Sequence, residues 1–132
     1  MDSAKLPTVS VLLPTYDRAE YLGAAIESVL GQTFGDLELI VIDDGSTDGT
    51  DRVLAGITDP RLRVVRRPHA GCAAALNAGL AVARGRHIAR NDSDDVWSPD
   101  LLAELVPLLD AHPELGMAYA RCDGMHADGT PS

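Results

Sequence analysis

Three carboxylates crowd into the four residues Asp92-Ser93-Asp94-Asp95, and a second acidic run, Asp43-Asp44-Gly45-Ser46-Thr47-Asp48, stands earlier in the chain. Two carboxylates about 6 Å apart repel by on the order of 3 kcal/mol at an effective dielectric near 20, so such crowding needs a compensating cause. A hard divalent cation supplies one: magnesium or manganese takes one or two protein carboxylates and fills its shell with water and phosphate oxygens. A metal held this way turns an acidic pocket into one that accepts a diphosphate. For the acidic loop alone a second account is equally good, with Asp92 forming a turn and Asp95 and Asp100 decorating a helix start. Gly45 turning the chain and Ser46 capping a helix would explain the earlier run in the same way. Two acidic runs together with Tyr16, all placed to line one crevice, favour the ligand-binding account.

Each acidic run must be positioned by the element before it. Residues 9–13 form a short apolar run stopped by Pro14, and residues 37–42 are apolar except for Glu38, so both read as buried strands. Residues 61–67 alternate charge with Leu62, Val64 and Val65, as expected of a strand near a sheet edge. Residues 87–90 predict a short fourth strand running into the acidic loop, and residues 115–120 predict a fifth. Between the strands, Asp17 and Glu20 have the spacing of a capping box ahead of Leu22, Ile26, Val29 and Leu30, which predicts a helix over 19–32. Ser46 or Thr47 can cap a short helix toward Ile57. The alanine-rich residues 71–84 predict a third helix with Ala75, Leu76, Leu80 and Val82 or Ala83 facing the sheet. Ser98-Pro99-Asp100 opens a fourth, with Leu101, Leu102, Leu105, Leu108 and Leu109 as its apolar face and Pro107 expected to kink or shorten it. Residues 123–132 read as a glycine-bearing tail or hairpin turn, with Asp123, His126 and Asp128 in solvent. This alternation predicts an α/β fold, a Rossmann-like three-layer sandwich with a mainly parallel sheet. Ligands of such sheets lie beyond the carboxyl ends of the strands, where both acidic runs fall.

Composition narrows the chemistry. At 132 residues the chain has room for one domain, and 20 acidic against 11 basic residues give a formal charge of -9 that argues against a nucleic-acid partner. No apolar run approaches the roughly 18–20 residues that span a bilayer, and residues 1–5 are too polar to begin a secretory signal, so the expected compartment is the cytoplasm. Cys72 and Cys122 have neither zinc nor redox spacing and read as small buried thiols. The single lysine, Lys5, removes a Walker loop, and because it precedes the first strand it leaves a receiver-type phospho-acceptor domain only as a lesser alternative. Pro14-Thr15-Tyr16-Asp17-Arg18 stands where a dinucleotide fingerprint would need its glycines.

Five motifs in order, Pro14-Thr15-Tyr16-Asp17, Glu27-Ser28-Val29-Leu30-Gly31-Gln32-Thr33, Asp43-Asp44-Gly45-Ser46-Thr47-Asp48, Asn77 with Gly79, and Asp92-Ser93-Asp94-Asp95 with Pro99, resemble those of family 2 glycosyltransferases of the A-type fold. The resemblance extends from Val9 to about Gly129. It implies a fold of the nucleotide-diphospho-sugar transferase type, with residues 1–132 as a nucleotide-sugar-binding domain. Tyr16 would stack on or border the base with Pro14 and Thr15 shaping the loop over it, Asp44 would accept from the base or ribose with Asp43 supporting it, and Asp92 would be a partner of the ribose or of the metal's outer shell. Asp94, with Asp92, would hold Mn2+ or Mg2+. The implied reaction moves a sugar from a nucleoside diphosphate donor, expected to be uridine-linked, to a hydroxyl acceptor that is a saccharide, a lipid or a small molecule. It would be inverting, with the base supplied by an acceptor-binding half not present in this chain. A non-catalytic nucleotide-binding module is the alternative. The chain departs from the family at Asp17, where asparagine is common; at Arg90 and Asn91, where apolar residues are usual; and at Leu76, where many relatives carry arginine. Arg66, Arg67 and His69 are candidate replacements for that arginine, with surface solvation expected for each.

Overall fold

The computed structural model describes residues 5–132, so the polar amino-terminal reading rests almost entirely on residues outside the described ones. Four strands, β1 (Val9–Thr15), β2 (Leu37–Asp43), β3 (Leu62–Arg66) and β4 (His87–Arg90), form one wholly parallel sheet in the order β3-β2-β1-β4. The helices are α1 (Ala19–Leu30), α2 (Thr50–Ala55), α3 (Cys72–Val82) and α4 (Leu101–Ala111). β1 and β2 are buried along their whole length because helices cover both faces, which is why they read as continuous apolar runs.

Alternate side chains divide between two cores. Val9, Val11, Leu13, Leu37, Leu39 and Val41 meet Leu22, Ala25, Ile26 and Val29 of α1, Leu54 of α2, and Leu102 and Val106 of α4. Leu12, Ile40 and Ile42 point the other way, onto Ala75 of α3. Each fully buried Leu or Ile contributes about 1.5–3 kcal/mol of transfer free energy. α3 seats closely because its sheet-facing positions are small: a Cβ on Gly79 would lie 2.8 Å from Ile42 Cδ1. Leu80, expected to face the sheet, is instead 49% exposed, since Ala75 and Gly79 take that face.

Several expectations are corrected. Residues 115–120 form no strand and are largely exposed, because no ladder partner meets them; their apolar run has β periodicity but nothing to pair with among the described residues. The Asp17–Glu20 capping box is absent: Asp48 Oδ2 accepts the Ala19 N–H instead, and Asp48 Oδ1 accepts the Thr50 N–H at the start of α2. α4 begins at Leu101, after Pro99 and Asp100, and continues through Pro107 to Ala111. The carbonyl that Pro107 cannot bond belongs to Ala103, which faces solvent. Cys72 and Cys122 are both exposed, the first opening α3 and the second lying in the carboxyl-terminal segment. Residues 123–132 do close a small hairpin, with Met125 bridged to Pro131 and Asp123, His126 and Asp128 exposed as expected.

A buried polar cluster sits at the amino ends of the strands, on the α3 face. Ser10 Oγ donates to Glu38 Oε1 at 2.7 Å and accepts the Gly85 N–H at 2.7 Å. Arg84 reaches Glu38 Oε2 through Nε and Nη2, and Arg63 Nη1 lies 3.1 Å from the same oxygen. Burial would push the Glu38 carboxyl up, but these donors, Ser10 and the Arg84 backbone first, bring it down to about 2.

Candidate functional site

The polar groups singled out in the sequence meet at the opposite, carboxyl end of the sheet. β1 leads into Tyr16, β2 into Asp43-Asp44, and β4 into the acidic loop, so three adjacent parallel strands deliver them to one rim. They line an open cleft of about 350 Å³ whose walls include Pro14, Thr15, Tyr16, Asp44, Asp92 and Asp94. Thr15 Oγ1, in that wall, is buried and has no hydrogen-bond partner among the described residues.

Two loops are tied together to make the first wall. Asp17 takes a left-handed backbone (φ 48°), a conformation that Asp and Asn tolerate best, and its Oδ1 accepts the Thr47 N–H at 2.7 Å. Ser46 Oγ accepts the Asp17 N–H, while Asp43 Oδ1 accepts the Ser46 N–H at 2.9 Å. Asp43 therefore lies behind the cleft surface and braces the turn that presents Asp44.

Asp44 is 3% exposed yet heavily solvated by the protein. Gly71 N–H and Ala70 N–H donate to its carboxylate at 2.8 and 3.1 Å, and Arg67 Nε and His69 Nδ1 lie at 3.2 and 3.0 Å. Burial opposes ionisation, but the Gly71 and Ala70 donors and the His69 and Arg67 side chains together hold the carboxyl below the usual range. Solvation as the expectation for Arg67 and His69 is thus corrected: both face Asp44, and Arg67 Nη1 also donates to Ala74 O at 2.6 Å. Arg66 does point outward, to Asp51.

The acidic loop makes the other wall. Arg90 Nε donates to Asp92 Oδ1 at 2.9 Å and its Nη2 lies 3.8 Å from Cys72 Sγ, so the strand-end arginine pairs with a nearby carboxylate and lines the cleft. Asn91 points inward and is 2% exposed. Partial burial and repulsion from Asp94 and Asp92 push the Asp95 carboxyl above the ordinary range, with Arg90 opposing. Among the described residues no three His, Cys, Asp or Glu side chains form a ready-made cage. The two cleft-lining carboxylates Asp92 and Asp94 nevertheless suit magnesium or manganese, which take the rest of their shell from water and phosphate.

Residues 10–129 match Glycosyl transferase family 2. The chain belongs to glycosyltransferase family 2. It is 34% identical over 128 residues to a chondroitin synthase of Pasteurella multocida (strain Pm70), covering 96% of this chain but 13% of that one. It is 41% identical over 108 residues to the succinoglycan biosynthesis protein ExoO of Rhizobium meliloti (strain 1021), covering 81% of this chain and 31% of that protein. The chain thus spans a minor part of the length of these relatives. Among solved structures, S. aureus TarS 1-349 in complex with UDP-GlcNAc superposes with a TM-score of 0.76 at 28% identity, over 80% of this chain and 32% of that one. The mannosyltransferase PcManGT from Pyrobaculum calidifontis, in complex with GDP-Man and Mn2+, gives 0.72 at 33% identity, over 82% of this chain and 34% of that one. The three-layer architecture is the A-type glycosyltransferase fold.

Within this family 2 chain, Arg18, His69, Gly71 and Cys72 also line the cleft; motif reasoning gave Arg18, Gly71 and Cys72 no role there and offered His69 only as a replacement for the missing arginine. The signal that finds His69, Gly71 and Cys72 is topological: the connection after β3 returns to the rim already occupied by the acidic runs.

Proposed function

We propose that the chain binds the donor for a glycosyltransferase that moves a sugar from a nucleoside diphosphate sugar to a hydroxyl acceptor. The observation that carries this is the convergence of Tyr16, Asp44, Asp92 and Asp94 on one cleft at the carboxyl ends of β1, β2 and β4. In this reading the Tyr16 ring borders the nucleobase, Pro14 and Thr15 shape the wall beside it, and the otherwise unpaired Thr15 hydroxyl gains a partner. Asp44 accepts a hydrogen bond from the base or ribose, Asp43 holds the turn that presents it, and Asp92 faces the ribose.

Asp94 with Asp92 would hold Mn2+ or Mg2+, which when bound stabilises the charge developing on the leaving diphosphate. Complexes of TarS with UDP and UDP-GlcNAc and of PcManGT with GDP-Man and Mn2+ support a nucleoside diphosphate donor and a divalent metal. We take the donor to be uridine-linked. The bond from the anomeric carbon to the diphosphate oxygen breaks, the acceptor oxygen bonds that carbon from the opposite face, and the acceptor proton passes to a general base. We assign that base to no residue lining this cleft; the acceptor-binding half of the enzyme would carry it.

Calorimetric titration of the chain with UDP, in Mn2+ and in chelator, tests the reading. Asp94→Ala is expected to abolish the Mn2+-dependent part of the affinity, and equal wild-type affinities with and without chelator would remove the metal from the proposal.

A further inference from the structure

Tyr16 is not bare in the free chain. Its ring stacks on the His69 imidazole with centroids 3.9 Å apart and planes 22° from parallel. The same imidazole bonds through Nδ1 to Asp44, 3.0 Å from Oδ2 and 3.2 Å from the backbone oxygen. Both partners of Nδ1 are acceptors, so the contact is a hydrogen bond only with the hydrogen on Nδ1. One flat, nitrogen-bearing ring therefore makes the two contacts assigned above to a nucleobase: a stack on Tyr16 and a donor to Asp44.

The backbone under this ring is held by its own hydrogen bonds, independently of the ring. Ala70 and Gly71 donate their N–H groups to Asp44, and Gly45 (φ 85°) lets the loop pack against it, since a Cβ there would lie 2.8 Å from His69 N. The His69 side chain itself is 53% exposed. Rotation about its side-chain bonds would uncover Tyr16 and one lobe of Asp44 without moving the loop.

We propose that the His69 imidazole is a resident plug of the nucleobase subsite, occupying the place of the base in the free chain and swinging aside when a nucleotide enters. This rests on the nucleotide-binding reading and adds to it a self-competition that sets donor affinity. A ligand must break the ring stack before making its own, and so binds more weakly than the open cleft would allow.

The test is calorimetric titration of wild-type, His69→Ala and His69→Phe chains with UDP and Mn2+, after circular dichroism confirms that each is folded. His69→Ala keeps both backbone donors to Asp44 and should bind UDP about fivefold more tightly, the factor implied by one aromatic stack no longer broken. His69→Phe retains a stacking ring and should stay closer to the wild-type affinity. In spectra of the wild type, the upfield ring-current displacement of the His69 carbon-bound protons should be lost on adding UDP. Binding by His69→Ala alone would also support the plug. Wild-type binding that His69→Ala leaves unchanged or weakens overturns the plug and keeps the nucleotide reading, with His69 then neutral or a direct contact. Absence of binding by every variant removes both.

Discussion

Gln32 and Leu102 lie 70 residues apart in the chain, and the side-chain amide of the first caps the first turn of α4, where the second lies. Gln32 Oε1 accepts the Leu102 N–H at 3.0 Å, and Nε2 donates to Ser98 O at 2.7 Å. Thr33 adds its own N–H to Pro99 O and its hydroxyl to Asp100. The end of α1 thereby clamps the segment that follows the acidic loop. Gln32→Ala leaves the buried Leu102 N–H without its acceptor, while Ser98 O keeps the Leu101 N–H, and should cost about 1–3 kcal/mol, read from urea denaturation. An unchanged midpoint would show that solvent replaces the amide.

Glu38 gives the fold an acid-sensitive point. Its carboxyl titrates at about 2 in the folded chain against an ordinary 4.5, so its stabilisation is complete above 4.5 and is lost as pH falls toward 2. That shift corresponds to about 3 kcal/mol. Glu38→Gln should flatten the pH dependence of stability in this window, leaving the part that comes from Asp44 and the other carboxylates held low, measured by denaturation at a series of pH values. A mutant curve parallel to the wild-type curve would assign the acid sensitivity to other groups.

Gly85 is forced by contact rather than by backbone angle. A Cβ there would run into the backbone of Val9 and Ser10, which cannot rotate away as a side-chain end can. Gly85→Ala should destabilise by about 2 kcal/mol and weaken the Ser10 bond to the Gly85 N–H. Thermal unfolding beside Gly116→Ala, where an added Cβ meets nothing, provides the comparison.

Arg90 brings a guanidinium to a cleft crowded with carboxylates, and it is held there by Asp92. Arg90 thus places a cation directly against the acidic loop. Arg90→Met should weaken UDP binding by about tenfold, the worth of one charge-assisted hydrogen bond. Calorimetry in Mn2+ reads this directly, and undiminished affinity would show that Arg90 serves only Asp92.

The sheet was largely legible in the sequence because parallel strands buried on both faces announce themselves as apolar runs. The reading of residues 87–90 as a strand matches β4 residue for residue. Residues 115–120 misled because periodicity reports what a segment can do and not whether a partner strand is there. Helix starts were misread for a related reason: Asp17 and Ser98 have the right types at the right spacing, but Asp48 and Gln32 supply the caps from elsewhere in the chain. In the candidate site, the acidic runs and Tyr16 were visible as motifs. The enclosure of Asp44 by residues 67–71 was not, because it follows from the path of the chain after β3.

The central strands carry polar clusters at both ends: Ser10 and Glu38 at one, Thr15, Asp43 and Asp44 at the other. At the rise of an extended chain the two clusters are about 20 Å apart, while mobile ions screen exposed charges over about 8–10 Å. A solvent-exposed charge at the rim, such as Asp94, is therefore felt only weakly at Glu38. Charge substitutions at the rim can retune what the cleft accepts without disturbing the ionisation of Glu38, which leaves ligand preference free to diverge while the anchoring pole stays constant.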